Sequence, residues 1–400
     1  MTTSSPADHS RFLIVGGGSA GLSVAARLCR SGCSGQVAVI EPSENHCYQP
    51  LWTLVGAGIL PREKTMRREA DYMPSGARWI KDSVKDFDPD ANRVVLNSGA
   101  TVGYDFLVVA AGIQIDWGKI PGLREAIGTN GVCSNYGYDT VNSTWDAIRS
   151  FKGGDAIFTH PATPIKCGGA PQKIMYLADE AFRRQNVREK SNIHFYCGEA
   201  AIFKVAKYAE ALMKVIERKG LQPHFRHNLT QLRVDSREAV FEDLDNKKEV
   251  VQHFDMIHVT PPQGAPDFIK RSPLAAASGF VDVDKATTRH TKYPNIFALG
   301  DCSSLPTSKT GAAIRKQAPV TTANLLAASQ SLPLPATYNG YTSCPLVTGY
   351  SSLILAEFDY DLKPAETFPI DQSKERYSMY LLKRHALPAM YWNGMLRGKA

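Results

Sequence analysis

An α/β fold, built from two strand–loop–helix–strand units and a compositionally distinct tail, is predicted by three observations. The first is Arg11-Phe-Leu-Ile-Val15, a short apolar run leading straight into Gly16-Gly-Gly18-Ser-Ala-Gly21 and then the helix-like Leu22–Leu28. The second is the recurrence of that order in mid-chain: strand-like Asp155–Thr159, loop Thr163–Pro171, helix-like Gln172–Phe182 and strand-like Asn192–Tyr196. The third is size: 400 residues, 43% of them hydrophobic, suffice for two or three domains with a core each. A strand feeding a turn and a helix in this way opens a Rossmann-like unit, so two such units are expected.

The first unit carries the stronger signature. Gly16 permits a tight turn, Gly18 lets backbone N–H groups approach a pyrophosphate at the helix N-terminus, and Gly21 lets helix and strand pack closely. Ser19 and Ala20 sit within the same phosphate turn. Val37–Ile40 reads as the second strand, and Glu41 follows Gly21 by twenty positions, where a carboxylate accepts hydrogen bonds from ribose hydroxyls. Tyr104–Gly112 resembles a recurring segment of the two-dinucleotide-domain flavoproteins, the strand that returns the chain near the flavin. Tyr293-Pro-Asn-Ile-Phe-Ala-Leu-Gly300-Asp301 is a short apolar strand ending in Gly-Asp. That ending resembles the second FAD signature of the two-dinucleotide-domain flavoproteins, in which the Asp holds the ribityl chain. FAD is therefore the dinucleotide expected. Residues 1–113 and 281–330 form the expected FAD-binding domain, 114–280 a second Rossmann-like domain carrying Cys167, and 331–400 a distinct C-terminal region carrying Cys344.

The second unit lacks what nicotinamide binding needs. Its loop has only Gly168 and Gly169, without the G-x-G-x-x-G spacing, and Pro164 and Pro171 remove N–H donors. A lone Cys167 stands there beside Lys166, where a loop-to-helix junction and a cation would lower its pKa and favour a thiolate. A buried, inert cysteine is the plainer alternative. Cys344, in Tyr341-Thr-Ser-Cys344-Pro-Leu-Val-Thr-Gly349, reads as a loop residue 177 positions further on, and spacing alone does not bring the two together.

The remaining composition excludes several classes. No run approaches the ~18 apolar residues of a membrane span, and the first ten residues carry neither a signal-peptide core nor a transit pattern. Eight irregularly spaced cysteines argue against a disulfide scaffold or a metal site. A net charge of +7 is too diffuse to imply nucleic-acid binding.

Thr163-Pro-Ile-Lys-Cys-Gly-Gly-Ala-Pro-Gln-Lys-Ile-Met-Tyr-Leu177, His258-Val-Thr-Pro-Pro262, Gly300–Thr310, Tyr341–Gly349, Ala356–Tyr360 and Asp371–Arg376 together resemble one family, the sulfide:quinone oxidoreductases of the animal mitochondrial type and their bacterial relatives. The similarity runs from about residue 11 to 397. It implies a disulfide-reductase flavoprotein fold with non-covalent FAD. It also implies that Cys167 and Cys344 are a redox pair, bridged at rest by a disulfide or an inserted sulfur. Sulfide would attack Cys344, releasing the Cys167 thiolate onto the flavin, and ubiquinone would take the two electrons. The persulfide sulfur would pass to glutathione, sulfite, cyanide or another acceptor. The resemblance further places Gln49 and the backbone of Val84 against FAD, and Lys309-Thr310-Gly311-Ala312 at a helix start facing the flavin. Gly311 departs from the animal pattern, which has Ala. Cys133, Cys302, Cys47, Cys197, Cys29 and Cys33 read as packing or surface thiols.

The tail Tyr377–Arg397 mixes Leu, Met, Tyr and Trp with Lys383, Arg384 and Arg397, the composition of an interfacial helix pair broken near Pro388. A helix closing the core of the flavin domain is the other reading. A peripheral protein on the cytoplasmic face of a bacterial membrane is expected from the leaderless start, with the mitochondrial inner membrane as alternative. A homo-oligomer stays open. The rival functions are a type II NADH:quinone dehydrogenase-like flavoprotein and a flavin-containing binding protein without turnover.

Overall fold

The computed structural model describes residues 8–400. Its first unit is a seven-stranded sheet in the order β5 (Ala77–Ile80), β2 (Val37–Ile40), β1 (Asp8–Val15), β8 (Thr101–Val109), β7 (Arg93–Leu96) and β6 (Val84–Asp88), with β19 (Ile296–Ala298) also on β8. The long β8 serves two neighbours on one side: its start pairs antiparallel with β7 and its end parallel with β19. Phe12, Leu13, Ile14 and Val15 are all buried, as a parallel strand covered on both faces requires. Helix α1 (Ser19–Leu28) starts three residues before the predicted helix, because Ser19, Ala20 and Gly21 already belong to its first turn. A small antiparallel pair, β3 (Asn45–Cys47) with β4 (Met66–Arg68), lies off this sheet.

The second unit is a parallel sheet in the order β10 (Val132–Cys133), β17 (Met256–His258), β11 (Gly154–His160), β12 (Ser191–Cys197) and β13 (Gln222–Phe225). Helix α2 (Ala170–Arg184) joins β11 to β12, and α3 (Ala206–Lys219) joins β12 to β13. An antiparallel meander, β14 (His227–Arg233), β15 (Glu238–Asp243) and β16 (Lys248–His253), follows. Where the chain enters and leaves this unit, β9 (Gln114–Ile115) pairs with β18 (Gln263–Gly264), so the two crossings run side by side.

After helix α4 (Gly311–Ala328) comes a hairpin, β20 (Thr342–Gly349) and β21 (Ser352–Phe358). Cys344, expected in a loop, is therefore in a strand and pairs with Ala356. The Ser, Thr, Pro and Gly that suggested a loop are tolerated because a two-stranded ribbon consists of edges, where Pro345 need not donate.

The tail also departs from expectation. It is one helical run, α5 (Tyr377–Leu381), a π-helical turn at Leu382–Ala386 and α6 (Leu387–Asn393), rather than a pair broken at Pro388. Pro388 falls in the first turn of α6, and the wider π turn before it absorbs the missing hydrogen bond. Tyr391, Trp392, Met395 and Leu396 are buried in the same core as α1, so this half of the tail closes the first unit. Tyr377 and Leu381 remain exposed, at 59% and 37%.

Candidate active site

The glycine turn is shaped to receive a phosphate. Gly16 has φ +102°, and a Cβ there would stand 2.5 Å from the Ala110 carbonyl; a Cβ on Gly21 would stand 1.8 Å from the Gly16 carbonyl. At Gly18 the space is open, and no side chain caps α1. The N–H groups of its first turn thus have no partner within the helix and point where a pyrophosphate would lie. Ala20 is buried against Gly300, and Ser19 Oγ is 2.7 Å from the Tyr391 hydroxyl. Glu41 accepts from the Gly17 and Ser43 amides at 2.8 and 2.7 Å, while burial raises its pKa against those two bonds. Asp301 sits on the turn after β19, its pKa raised by burial and opposed by Lys309 and Lys166. Val84 opens the edge strand β6 with its side chain in the core, which leaves its backbone as the part able to meet a ligand. These residues fit FAD.

The two sequence-predicted cysteines meet. Cys167 Sγ and Cys344 Sγ are 2.9 Å apart, somewhat longer than the ~2.05 Å of a closed disulfide. Hydrogen bonds tie both cysteine segments to the start of α4. The Cys167 amide donates to the Lys309 carbonyl at 2.8 Å, so the cysteine loop is bonded to the segment that starts α4. Thr310 caps α4 by accepting from the Ala313 amide, and its hydroxyl is 2.8 Å from that of Thr342 on β20. Gly311 and Ala312 follow as the first α4 residues, at the expected helix start. Gln49 accepts from the Lys166 ammonium. Cys167 has φ +53°, a left-handed conformation that costs a side-chain-bearing residue free energy and is retained here at the reactive loop.

The charge in this site comes from a residue the sequence reading missed. Lys166 turns to Gln49 and the Trp52 ring, and burial pushes it down to about 8. The cation on the sulfur is Lys173, whose Nζ lies 3.4 Å from Cys167 Sγ. Burial works against that ammonium, but the two sulfurs hold its pKa above the ordinary value. Donation from the Cys344 thiol, and then Lys173, hold Cys167 well below the ordinary thiol range; donating that proton, and then burial, push Cys344 well above it. The reduced pair therefore carries its negative charge on Cys167 and its proton on Cys344. Lys383, from the tail, donates to the Pro50 carbonyl; burial and then repulsion from Lys173 push it down to about 7. Its signal was a lysine in a helical tail, indistinguishable from a surface charge. Lys173 left a better one, a lone cation opening the apolar run Ile174–Ala178, all of it buried.

Lys309 Nζ donates to the Ser303 carbonyl at 2.9 Å and lies over the Phe280 ring, while its backbone carbonyl accepts from the Cys167 amide. The other thiols remain apart from this chemistry. Burial pushes Cys133 and Cys197 up to about 12 and Cys302 up to about 11. Cys33 is buried, while Cys29 and Cys47 are partly exposed. In the second unit a Cβ on Gly169 would meet Leu346 Cδ2 at 2.3 Å and Cys344 Sγ at 2.7 Å. The helix end that would receive a second dinucleotide is covered by β20.

The family described as pyridine nucleotide-disulphide oxidoreductase matches residues 10–143. A mouse (Mus musculus) protein named sulfide:quinone oxidoreductase, mitochondrial, is 48% identical over 98% of this chain and 87% of its own length. A Dictyostelium discoideum protein of the same name is 49% identical over 98% of this chain and 86% of its own length. Among solved structures, the sulfide:quinone oxidoreductase of the hyperthermophilic bacterium Aquifex aeolicus superposes with a TM-score of 0.82 at 17% identity, covering 98% of this chain and 92% of the other.

Proposed function

Because the chain belongs to the sulfide:quinone oxidoreductase family, we propose that it oxidises sulfide at the Cys167–Cys344 pair and passes two electrons through FAD to ubiquinone. The observation that carries this reading is the 2.9 Å dithiol, with Lys173 on Cys167 and the Cys167 amide bonded to Lys309.

With the pair bridged, hydrosulfide donates an electron pair to Cys344 Sγ. The Sγ–Sγ bond breaks, its electrons leave on Cys167, and Cys344 becomes a persulfide. Thiol–disulfide exchange is fastest when the departing thiolate is stabilised, and Lys173 supplies that stabilisation. A nucleophilic acceptor such as glutathione, sulfite or cyanide then takes the outer sulfur, leaving the reduced pair with charge on Cys167 and proton on Cys344. FAD held by the glycine turn, Glu41 and Asp301 would accept two electrons as the bridge re-forms, and would deliver them to quinone. Lys383, with a pKa of about 7, can take or give a proton at neutral pH beside the sulfurs.

Anaerobic sulfide should bleach the flavin absorbance of the purified protein, and a soluble ubiquinone should restore it. Bleaching by NADH alone would return the chain to the dehydrogenase class and leave Cys167 a structural thiol.

Quinone dissolves in membranes, so the protein must reach one. Among the described residues no helix is long and apolar enough to cross a membrane. Phe368, Ile370, Tyr377 and Leu381 are exposed hydrophobics just before and at the start of the tail, and we assign them to the membrane-facing surface. Tyr377→Glu with Leu381→Glu should reduce co-sedimentation with anionic vesicles while sulfide bleaching is kept; unchanged sedimentation would remove this surface from consideration. Deleting the tail would not test it, since that also removes buried Tyr391 and Trp392. The mouse and Dictyostelium relatives are mitochondrial by name, which supports the mitochondrial membrane over the bacterial cytoplasmic one as the setting.

A further inference from the structure

We propose that the C-terminal helix is part of the cofactor site, with Tyr391 as a positioning residue whose hydroxyl, held by the buried His46–Glu69 pair, fixes Ser19 in the phosphate turn and thereby strengthens FAD binding. This rests on the FAD reading above. The chain of contacts is continuous: Glu69 Oε2 to His46 Nδ1 at 2.8 Å, His46 Nε2 to the Tyr391 hydroxyl at 2.5 Å, and that hydroxyl to Ser19 Oγ at 2.7 Å. Glu69, His46 and Tyr391 are 1%, 4% and 4% exposed. The participants come from the 3-10 turn after β4, from β3, from the tail and from α1, so nothing in local sequence brings them together.

Packing alone does not account for the polar atoms. The Tyr391 ring lies 4.4 Å from Tyr48, 5.0 Å from Trp392 and 5.8 Å from His46, centroid to centroid, and a phenylalanine would fill that space equally. Burying a hydroxyl, an imidazole and a carboxylate costs free energy unless each is bonded. Here they are bonded in a line that ends on the one hydroxyl in the phosphate turn. A serine hydroxyl at the start of a helix is otherwise free to compete for backbone N–H groups. Tied to Tyr391, it leaves the N–H groups of that turn to an anion. Glu69 Oε1, the one polar atom of this line of contacts without a partner, lies beside the turn, where a Cβ on Gly17 would come within 2.6 Å. The helical run that carries Tyr391 also carries Lys383, in the π turn before α6, where it donates to the Pro50 carbonyl.

The test is titration of the deflavinated full chain with FAD, followed by flavin fluorescence, alongside the melting temperature of the apoprotein. Tyr391→Phe should weaken FAD binding about fivefold to tenfold, the effect of one or two lost hydrogen bonds, and should also lower the apoprotein melting temperature, because buried His46 Nε2 loses its partner. Ser19→Ala, at a partly exposed position, should weaken binding similarly with the apoprotein melting as wild type does, and the double variant should bind no worse than Tyr391→Phe alone. Wild-type affinity in Tyr391→Phe or in Ser19→Ala overturns the inference, as do additive losses in the double variant or a Ser19→Ala apoprotein whose melting temperature falls in step with affinity. Failure of the wild-type chain to bind FAD would instead overturn the flavin reading itself.

Discussion

Cys344→Ser is expected to abolish sulfide-driven bleaching of the flavin, a loss on the order of a thousandfold or more, because among the described residues Cys344 is the sulfur seated against Cys167. Serine fills the buried site with nearly the same shape, so the hairpin should persist and the flavin spectrum should be retained. Cys167→Ala should lose as much, since it removes the departing thiolate and the partner needed to re-form the bridge. The two changes together should be no worse than either, as expected of groups that act as one unit. Stopped-flow absorbance under anaerobic sulfide reads this directly. A Cys344→Ser protein that bleaches at the wild-type rate would end the redox-pair assignment.

Lys173→Met should cost about 10- to 100-fold in the rate of flavin reduction at pH 7 while leaving FAD affinity unchanged. The sign follows from the charge on Cys167. Its thiol sits below the ordinary range through the Cys344 hydrogen bond and the Lys173 ammonium. Removing the ammonium raises that pKa, so at fixed pH less of the pair is in the thiolate form. The acid limb of the pH–rate profile should therefore move up by about one to two pH units, the size of effect an opposite charge in contact produces. Raising the pH should recover part of the rate. Lys383→Met should do less, because Lys383 is already near half-neutral at pH 7. An unshifted acid limb in Lys173→Met would show that the cation is structural.

The first unit was legible because its signals are local. A buried strand, the Gly16–Gly21 turn and Val37–Ile40 each announce themselves within a few residues, and all three stand where expected. The cysteine pair was legible in identity but not in geometry, because the contact between the loop before α2 and β20 spans 177 residues. Lys166 stands out in the sequence and Lys173 does not for the same reason: adjacency in sequence is visible, whereas the helical turn that swings Lys173 back over Cys167 is not. Cys344 looked like a loop residue because β propensity undervalues Ser, Thr and Pro on a ribbon whose strands are both edges. The tail misled in another way. Tyr391 and Trp392 suit a membrane interface and a core equally, and only the position of α1 decides between them.

Gly169 is pressed against Leu346 and the Cys344 sulfur, so the hairpin itself stands across the entrance a soluble hydride donor would use. Grafting a complete glycine fingerprint onto residues 163–171 would consequently not convert the protein to a pyridine-nucleotide enzyme. It would discard Cys167 while the doorway stayed shut, leaving a flavoprotein with no reductant at all. Choice of fuel in this scaffold is thus made by which strand is parked on α2, and exchanging it would require moving the hairpin before rewriting the loop.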